Sequence, residues 1–203
     1  MEKYRTVIVG VAVLALFLGT GSGDARQHDI GEDGLERFRG AVHAYAALHR
    51  DVERGVPPLE ISPDPRKIHQ AVEAMAEAMR AARPAARAGD IFDNRTSNVL
   101  RARIRETLLA RGHDSADILA AMIDEDEGPA SQVRPVVNDR FPWAQGSFMP
   151  PCLLEVLPSL PDEIEYRFVH RDLVLVDIHA DLVVDVLAGA LPADDSREVH
   201  AGE

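Results

Sequence analysis

The stretch VHRDLVLVDIHADLVVDVL, Val169 to Leu187, decides how the C-terminal region is read. It holds His-x-Asp-Leu-Val twice, as His170-Arg171-Asp172 and His179-Ala180-Asp181, nine residues apart. Read as a β-meander with these triplets as three-residue turns, the even-numbered residues share one face. They are Ile164, Tyr166, Phe168, Val174, Val176, Ile178, Leu182, Val184 and Val186, all apolar apart from one hydroxyl. A buried face specifies register, so this pairing is preferred over two-residue turns, which mix charges into both faces. The odd-numbered face is mixed. It carries Glu165, Arg167, Val169, Leu173, Leu175, Asp177, Val183, Asp185 and Leu187, and it is expected to be covered by helices or to receive a protein partner or a second copy. Glu165 and Asp177 become cross-strand neighbours in this register and read as a solvated charge cluster.

The same geometry separates the histidines. Strands rise about 3.3 Å per residue, which places the two turns roughly 20 Å apart. Metal–ligand bonds are about 2 Å long, so His170 and His179 do not share an ion. The weak metal candidates His170, Asp177, His179 and Asp181 are left as half-sites that need completion by other residues. His and Asp are also ordinary turn residues, because they tolerate unusual backbone angles. His-Arg-Asp-Leu matches part of the protein-kinase catalytic loop, but Asp177 stands where that loop has Asn, and the phosphate loop, strand lysine and Asp-Phe-Gly are missing.

Upstream of the meander, helical periodicity dominates. Leu35, Phe38, Val42, Tyr45, Leu48 and Val52 form one stripe, closed by Gly55-Val56-Pro57-Pro58. Asp64 caps a second helix with Pro65 at its first position and Ile68, Val72, Met75 and Met79 inward. Pro84 is expected to kink this helix and Gly89 to end it. A third helix spans about Ser97 to Ala110 with Leu100, Ile104 and Leu108 inward, closed by Gly112. A short fourth carries Ile118, Leu119, Met122 and Ile123. The acidic run DEDE, Asp124 to Glu127, lacks the alternation and turn glycine of a calcium loop and reads as a solvated helix end. Between Gly128 and Pro161 periodicity disappears and prolines multiply. Phe141, Trp143 and Phe148 are expected to pin this connection to the surface, with one helical turn near Cys152 to Leu157.

The N-terminus reads as a secretory signal. Lys3 and Arg5 precede the apolar run Thr6 to Gly19, and Gly23 and Ala25 suit a cleavage site. The run is shorter than the roughly 20 residues of a membrane span, though an uncleaved anchor is an alternative. The predicted organisation is a signal at 1–25, a helical region at 26–128, a Pro-rich connection at 129–160, a meander at 161–192 and a disordered acidic tail at 193–203. The formal charge of −12 argues against nucleic acid as a partner. Cys152, the single cysteine, reads as a buried hydrophobe. Asn94-Arg95-Thr96 fits a glycosylation acceptor pattern but carries no weight alone. Gly-x-Ser-x-Gly, His-Glu-x-x-His and Cys-x-x-Cys are all missing, so no catalytic residue and no cofactor is assigned.

Two segments resemble an uncharacterised family of exported bacterial proteins: MRAARPAARAGDIF, residues 79–92, and MPPCLLEVLPSLPDEIEYRFVHRDLVLVDIHADLVVDVLAGALP, residues 149–192. The family tends to have Gly at the position of His170 and Asn at that of Asp181, which implies tight turns rather than shared His-x-Asp chemistry. It brings no activity with it. More weakly, the Tyr-x-Phe-Val and Leu-Val-Asp-Ile portions are similar to periplasmic proteins linked to nickel and cobalt homeostasis, without their histidine-rich character. The expectation is an exported, periplasmic or secreted α+β protein: a small helical bundle, a long Pro-rich connection and a three-stranded antiparallel meander. A non-enzymatic binding or envelope-associated module is the leading functional reading. Periplasmic metal-ion binding and an unrecognised hydrolase are the alternatives.

Overall fold

The computed structural model describes residues 22–112, 133–147 and 149–192. The bulk of the expected signal, the expected fourth helix, the DEDE run, Phe148 and the acidic tail lie outside the described residues. The architecture is α+β, with helices α1 (Ser22–Glu53), α2 (Pro65–Ala82) and α3 (Asn94–Ala110) preceding an antiparallel sheet. The meander β2 (Ile164–Val169), β3 (Asp172–Asp177) and β4 (Leu182–Leu187) is extended at its β2 edge by the two-residue strand β1 (Gly146–Ser147). None of the described helices is long and apolar enough to cross a membrane.

The helix boundaries follow local chemistry. The Asp64 side chain accepts from the Arg66 backbone N–H, and Pro65 occupies the first helical position. Helix α2 stops at Ala82 instead of kinking at Pro84, because a residue before proline is driven out of the helical region, and Arg83 there has ψ 52°. The inward stripe of α2 is Ala71, Met75, Ala76 and Met79, and Ile68 stays exposed. The stripe is thus rotated from the expected one: α2 seats its alanines against its neighbours, and small side chains allow that approach. Helix α3 starts three residues earlier than expected, where Asp93 accepts from the Thr96 N–H. This buries the threonine of Asn94-Arg95-Thr96, whose hydroxyl donates to the Gly34 carbonyl of α1. Leu100, Ile104 and Leu108 face inward as the spacing requires.

The sheet register differs from the expected one. His170-Arg171 is a two-residue turn, with Val169 opposite Asp172, and a four-residue turn, 178–181, joins β3 to β4. His170 at φ 53° and Asp181 at φ 54° supply the left-handed residues. Even residues of β2 therefore pair with odd residues of β3. Ile164, Tyr166, Phe168, Leu173, Leu175, Leu182, Val184 and Leu187 join the helices in one core, where Phe38 stacks between Phe92 and Tyr166. A bulge at Leu175/Val176 turns the consecutive Val184 and Asp185 toward the helices together. Ile178, expected inside, is exposed on the turn.

In this register the face expected to receive a partner changes membership: Glu165, Arg167, Val169 and Val183 stay on it with Val174 and Val176, while Leu173, Leu175, Asp177, Asp185 and Leu187 turn toward the helices. The second face holds Val169, Val174, Val176 and Val183, and the chain's own connection closes it with Phe141 and Val137. Residues 138–141 run along the free edge of β4: Asn138 and Phe141 donate to the Val183 and Asp181 carbonyls, and Val183 donates to Asp139. The connection then crosses to pair as β1 with Phe168 and Val169 at the opposite edge, so each edge of the meander is covered along part of its length. Phe141 is buried, whereas Trp143 remains exposed, edge-on to Phe141 and beneath the Arg167 guanidinium. The expected helical turn is α4, Pro151–Leu154, which buries Cys152 and Leu153.

Candidate metal-binding site

Tyr45, His49 and Glu53 are spaced by four along α1 and therefore lie on one face of it. That face meets the end of β3 and the 178–181 turn. His49 and Asp177 are fully buried, and the His49 Nδ1 lies 2.7 Å from Asp177 Oδ2. The Tyr45 hydroxyl donates to the same oxygen at 2.7 Å. The other carboxylate oxygen accepts the backbone N–H groups of His179 and Ala180 at 3.0 and 2.8 Å. One carboxylate thus orients the His49 ring and fixes the turn that presents His179. Charges on the inner face were the reason for rejecting two-residue turns from sequence, and here the charge is satisfied by four donors.

Burial disfavours charge at both members of the pair. At Asp177 the His49 hydrogen bond and charge, the Tyr45 hydroxyl and the Ala180 N–H outweigh burial and hold the carboxyl below its usual range. At His49 burial is outweighed by the hydrogen bond to Asp177 and by the charges of Asp177, Glu53 and Glu163, so its proton affinity is raised. Burial and the adjacent Asp177 push the Tyr45 phenol far up, which keeps it a donor.

With Nδ1 engaged by Asp177, the remaining ring nitrogen of His49, Nε2, is buried and has no hydrogen-bond partner. The His179 ring stands beside it, centroids 5.3 Å apart. The His179 Nδ1 is likewise buried without a hydrogen-bond partner and lies 3.6 Å from Glu53 Oε1. One ligand atom from each of His49, Glu53 and His179 falls within 4.8 Å of the others. Two ligands bound at 2.0–2.1 Å in tetrahedral geometry sit about 3.3–3.4 Å apart. Ligand atoms up to 4.8 Å apart reach that spacing by drawing in by up to about 1.5 Å. Two imidazoles and a carboxylate suit zinc, cobalt, nickel or copper better than calcium or magnesium, which take oxygen ligands.

Of the four residues singled out by the doubled motif, Asp177 and His179 come together here. His170 occupies the turn at the opposite end of β3. Asp181 points elsewhere, accepting from Arg140 Nη1 at 3.1 Å and from the Trp143 indole. Glu165 faces Val176 rather than Asp177, which has Ile164 opposite, and Arg167 binds Glu165. Sequence reasoning missed His49, Glu53 and Glu163. The His49-x-x-x-Glu53 step, one helical turn and part of a second, was the available signal, but the apolar stripe that includes Tyr45 absorbed attention on that helix. Comparison with family models, with curated proteins and with solved structures finds no match to the chain.

Proposed function

We propose that the protein is an exported binding module that takes up one divalent transition-metal ion through His49, Glu53 and His179. The observation that carries this reading is the buried, unpartnered Nε2 of His49, held on the open side of its ring by the Asp177 hydrogen bond and converging with two further donors. A buried polar atom without a partner costs about 1–3 kcal/mol, and an ion removes that cost. A carboxylate behind a histidine is the usual means of fixing its tautomer and raising its basicity toward a metal. Export is supported by Lys3 and Arg5 ahead of the apolar run Thr6 to Gly19.

Isothermal titration with zinc, cobalt, nickel and copper tests the reading. One ion per chain is expected, with calcium and magnesium inert, and with binding lost in His49→Ala and His179→Ala. No transition-metal binding tighter than about 100 µM would end it.

A further inference from the structure

Glu163 stands at the edge of the same site and is not accounted for by the ligand set. It directly precedes β2, and its carbonyl accepts the Ile178 N–H, so it is fastened to the turn that carries His179. Its side chain is 11 % exposed. Oε1 is tied to Arg50 Nη1 at 2.6 Å, while Oε2 is buried and takes no hydrogen bond from another residue. Its charge acts on His49. Yet Glu163 is not among the groups whose ligand atoms lie within mutual reach, and among the described residues no fourth His, Cys, Asp or Glu joins that set.

Closed structural zinc sites use four protein ligands, whereas three protein ligands leave a position for water or another small molecule. A carboxylate oxygen too far to ligate, buried, and lacking a donor from another residue is suited to accept a hydrogen bond from that water. We infer that an ion bound by His49, Glu53 and His179 keeps an exchangeable fourth position, filled by a water molecule that donates to Glu163 Oε2. The inference rests on the metal-binding reading above. It makes the centre one whose fourth position exchanges its ligand, with Arg50 holding Glu163 in place. The Glu163 charge, partly offset by Arg50, weakens the hold of the open position on anions without excluding them.

The test uses the full chain loaded with cobalt(II), whose visible bands report coordination, titrated with azide as an anionic probe. In the wild-type protein the bands are expected to shift and saturate with azide. Glu163→Gln keeps the acceptor oxygen for Arg50 but removes the charge. It is expected to bind cobalt about 10–100-fold more weakly, as outer residues of metal sites do. It is also expected to bind azide about three- to tenfold more tightly, since the repelling charge a few ångströms away is gone. A purely structural role for Glu163 does not give these opposite signs. Bands indifferent to azide in a cobalt-loaded wild-type chain would show a closed centre and overturn the inference while leaving metal binding intact. Equal azide affinity in the variant would also overturn it. Failure of cobalt to bind at all removes the metal reading and this inference together.

Discussion

The inner face of the sheet buries two aspartates, Asp177 at the end of β3 and Asp185 in β4, both without solvent exposure. They are held in opposite ways. Asp185 accepts only backbone donors: Gly89, Ile91 and Phe92 from the loop between α2 and α3 at 2.7 Å each, and the adjacent Val186. Asp177 accepts two side chains of α1 as well as two turn amides. Burial pushes the Asp185 carboxyl up, and the neutral amide dipoles offset this only in part. The Asp177 carboxyl is held down because a titratable imidazole faces it. Amides that saturate a carboxylate end the matter there. An imidazole that does so still has a second nitrogen, so the Asp177 end of the sheet has chemistry left to use and the Asp185 end does not.

Substitution by asparagine should separate the two. In Asp185→Asn a single oxygen replaces two, and an amide N–H₂ is brought against backbone N–H groups. At least two buried donors lose their partners, at about 1–3 kcal/mol each. The expected outcome is a loss of about 2–6 kcal/mol, read as a large drop in the urea midpoint, with the GDIF loop of residues 89–92 released in hydrogen exchange. A midpoint near wild type would show that the loop is held by Ile91 and Phe92 packing and not by the carboxylate.

In Asp177→Asn the oxygen can keep the His179 and Ala180 amides, and the new N–H₂ can donate to His49 Nδ1. That reverses the tautomer and places the proton on Nε2, the atom needed for an ion. Stability should fall less than in Asp185→Asn, while metal affinity falls by about 10–100-fold, as measured by titration calorimetry. Equal loss of stability in the two variants, or an unaltered metal affinity in Asp177→Asn, would erase the distinction drawn between them.

The ion itself should act as a clamp between α1 and the 178–181 turn. At a free concentration of 100 times Kd, a one-site ligand stabilises the folded state by about 2.7 kcal/mol. Zinc should therefore raise the unfolding midpoint of the wild type. His179→Ala, a half-exposed turn position, should change the metal-free protein by less than about 0.5 kcal/mol and yet lose the zinc increment. A zinc increment that survives in His179→Ala would mean that the ion sits elsewhere.

These contrasts mark what the sequence made legible. The apolar stripes of α1 and α3, the Asp64-Pro65 start of α2 and the existence of a meander were readable, because period and capping chemistry are local. The register was not. Three-residue turns are preferred only if a core face carries no charge. Asp177 and Asp185 break that assumption with donors supplied from residues 45–49 and 89–92, far away in sequence. The separation of His170 from His179 was readable because it needs only that β3 run between their turns, a property of either register. The site itself was half visible: His179 and Asp177 stand out in the doubled motif, but His49 is a lone histidine on a helix and becomes a candidate only when the sheet packs against it.

A third aspartate sharpens the comparison from the surface side. Asp93 caps α3 and also binds Arg37, and its side chain is 30 % exposed and that of Arg37 56 %. The small burial it undergoes opposes charge, but the Thr96 N–H and the Arg37 guanidinium prevail and hold its carboxyl below the usual range. A lowered folded value contributes stability above the unfolded carboxyl range, near pH 3.9, and that contribution is lost as pH falls through the folded value. Asp93→Ala should cost about 1 kcal/mol at neutral pH, the usual cost of losing an N-cap, and the difference from wild type should shrink as pH falls below the unfolded carboxyl value, near 3.9. Asp93→Asn retains the capping oxygen and should cost less than the alanine at neutral pH. If Asp93→Asn proved as damaging as Asp185→Asn in the same urea series, burial would not be what separates structural carboxylates from peripheral ones in this fold, and the ordering Asp185, Asp177, Asp93 would have to be rebuilt on charge alone.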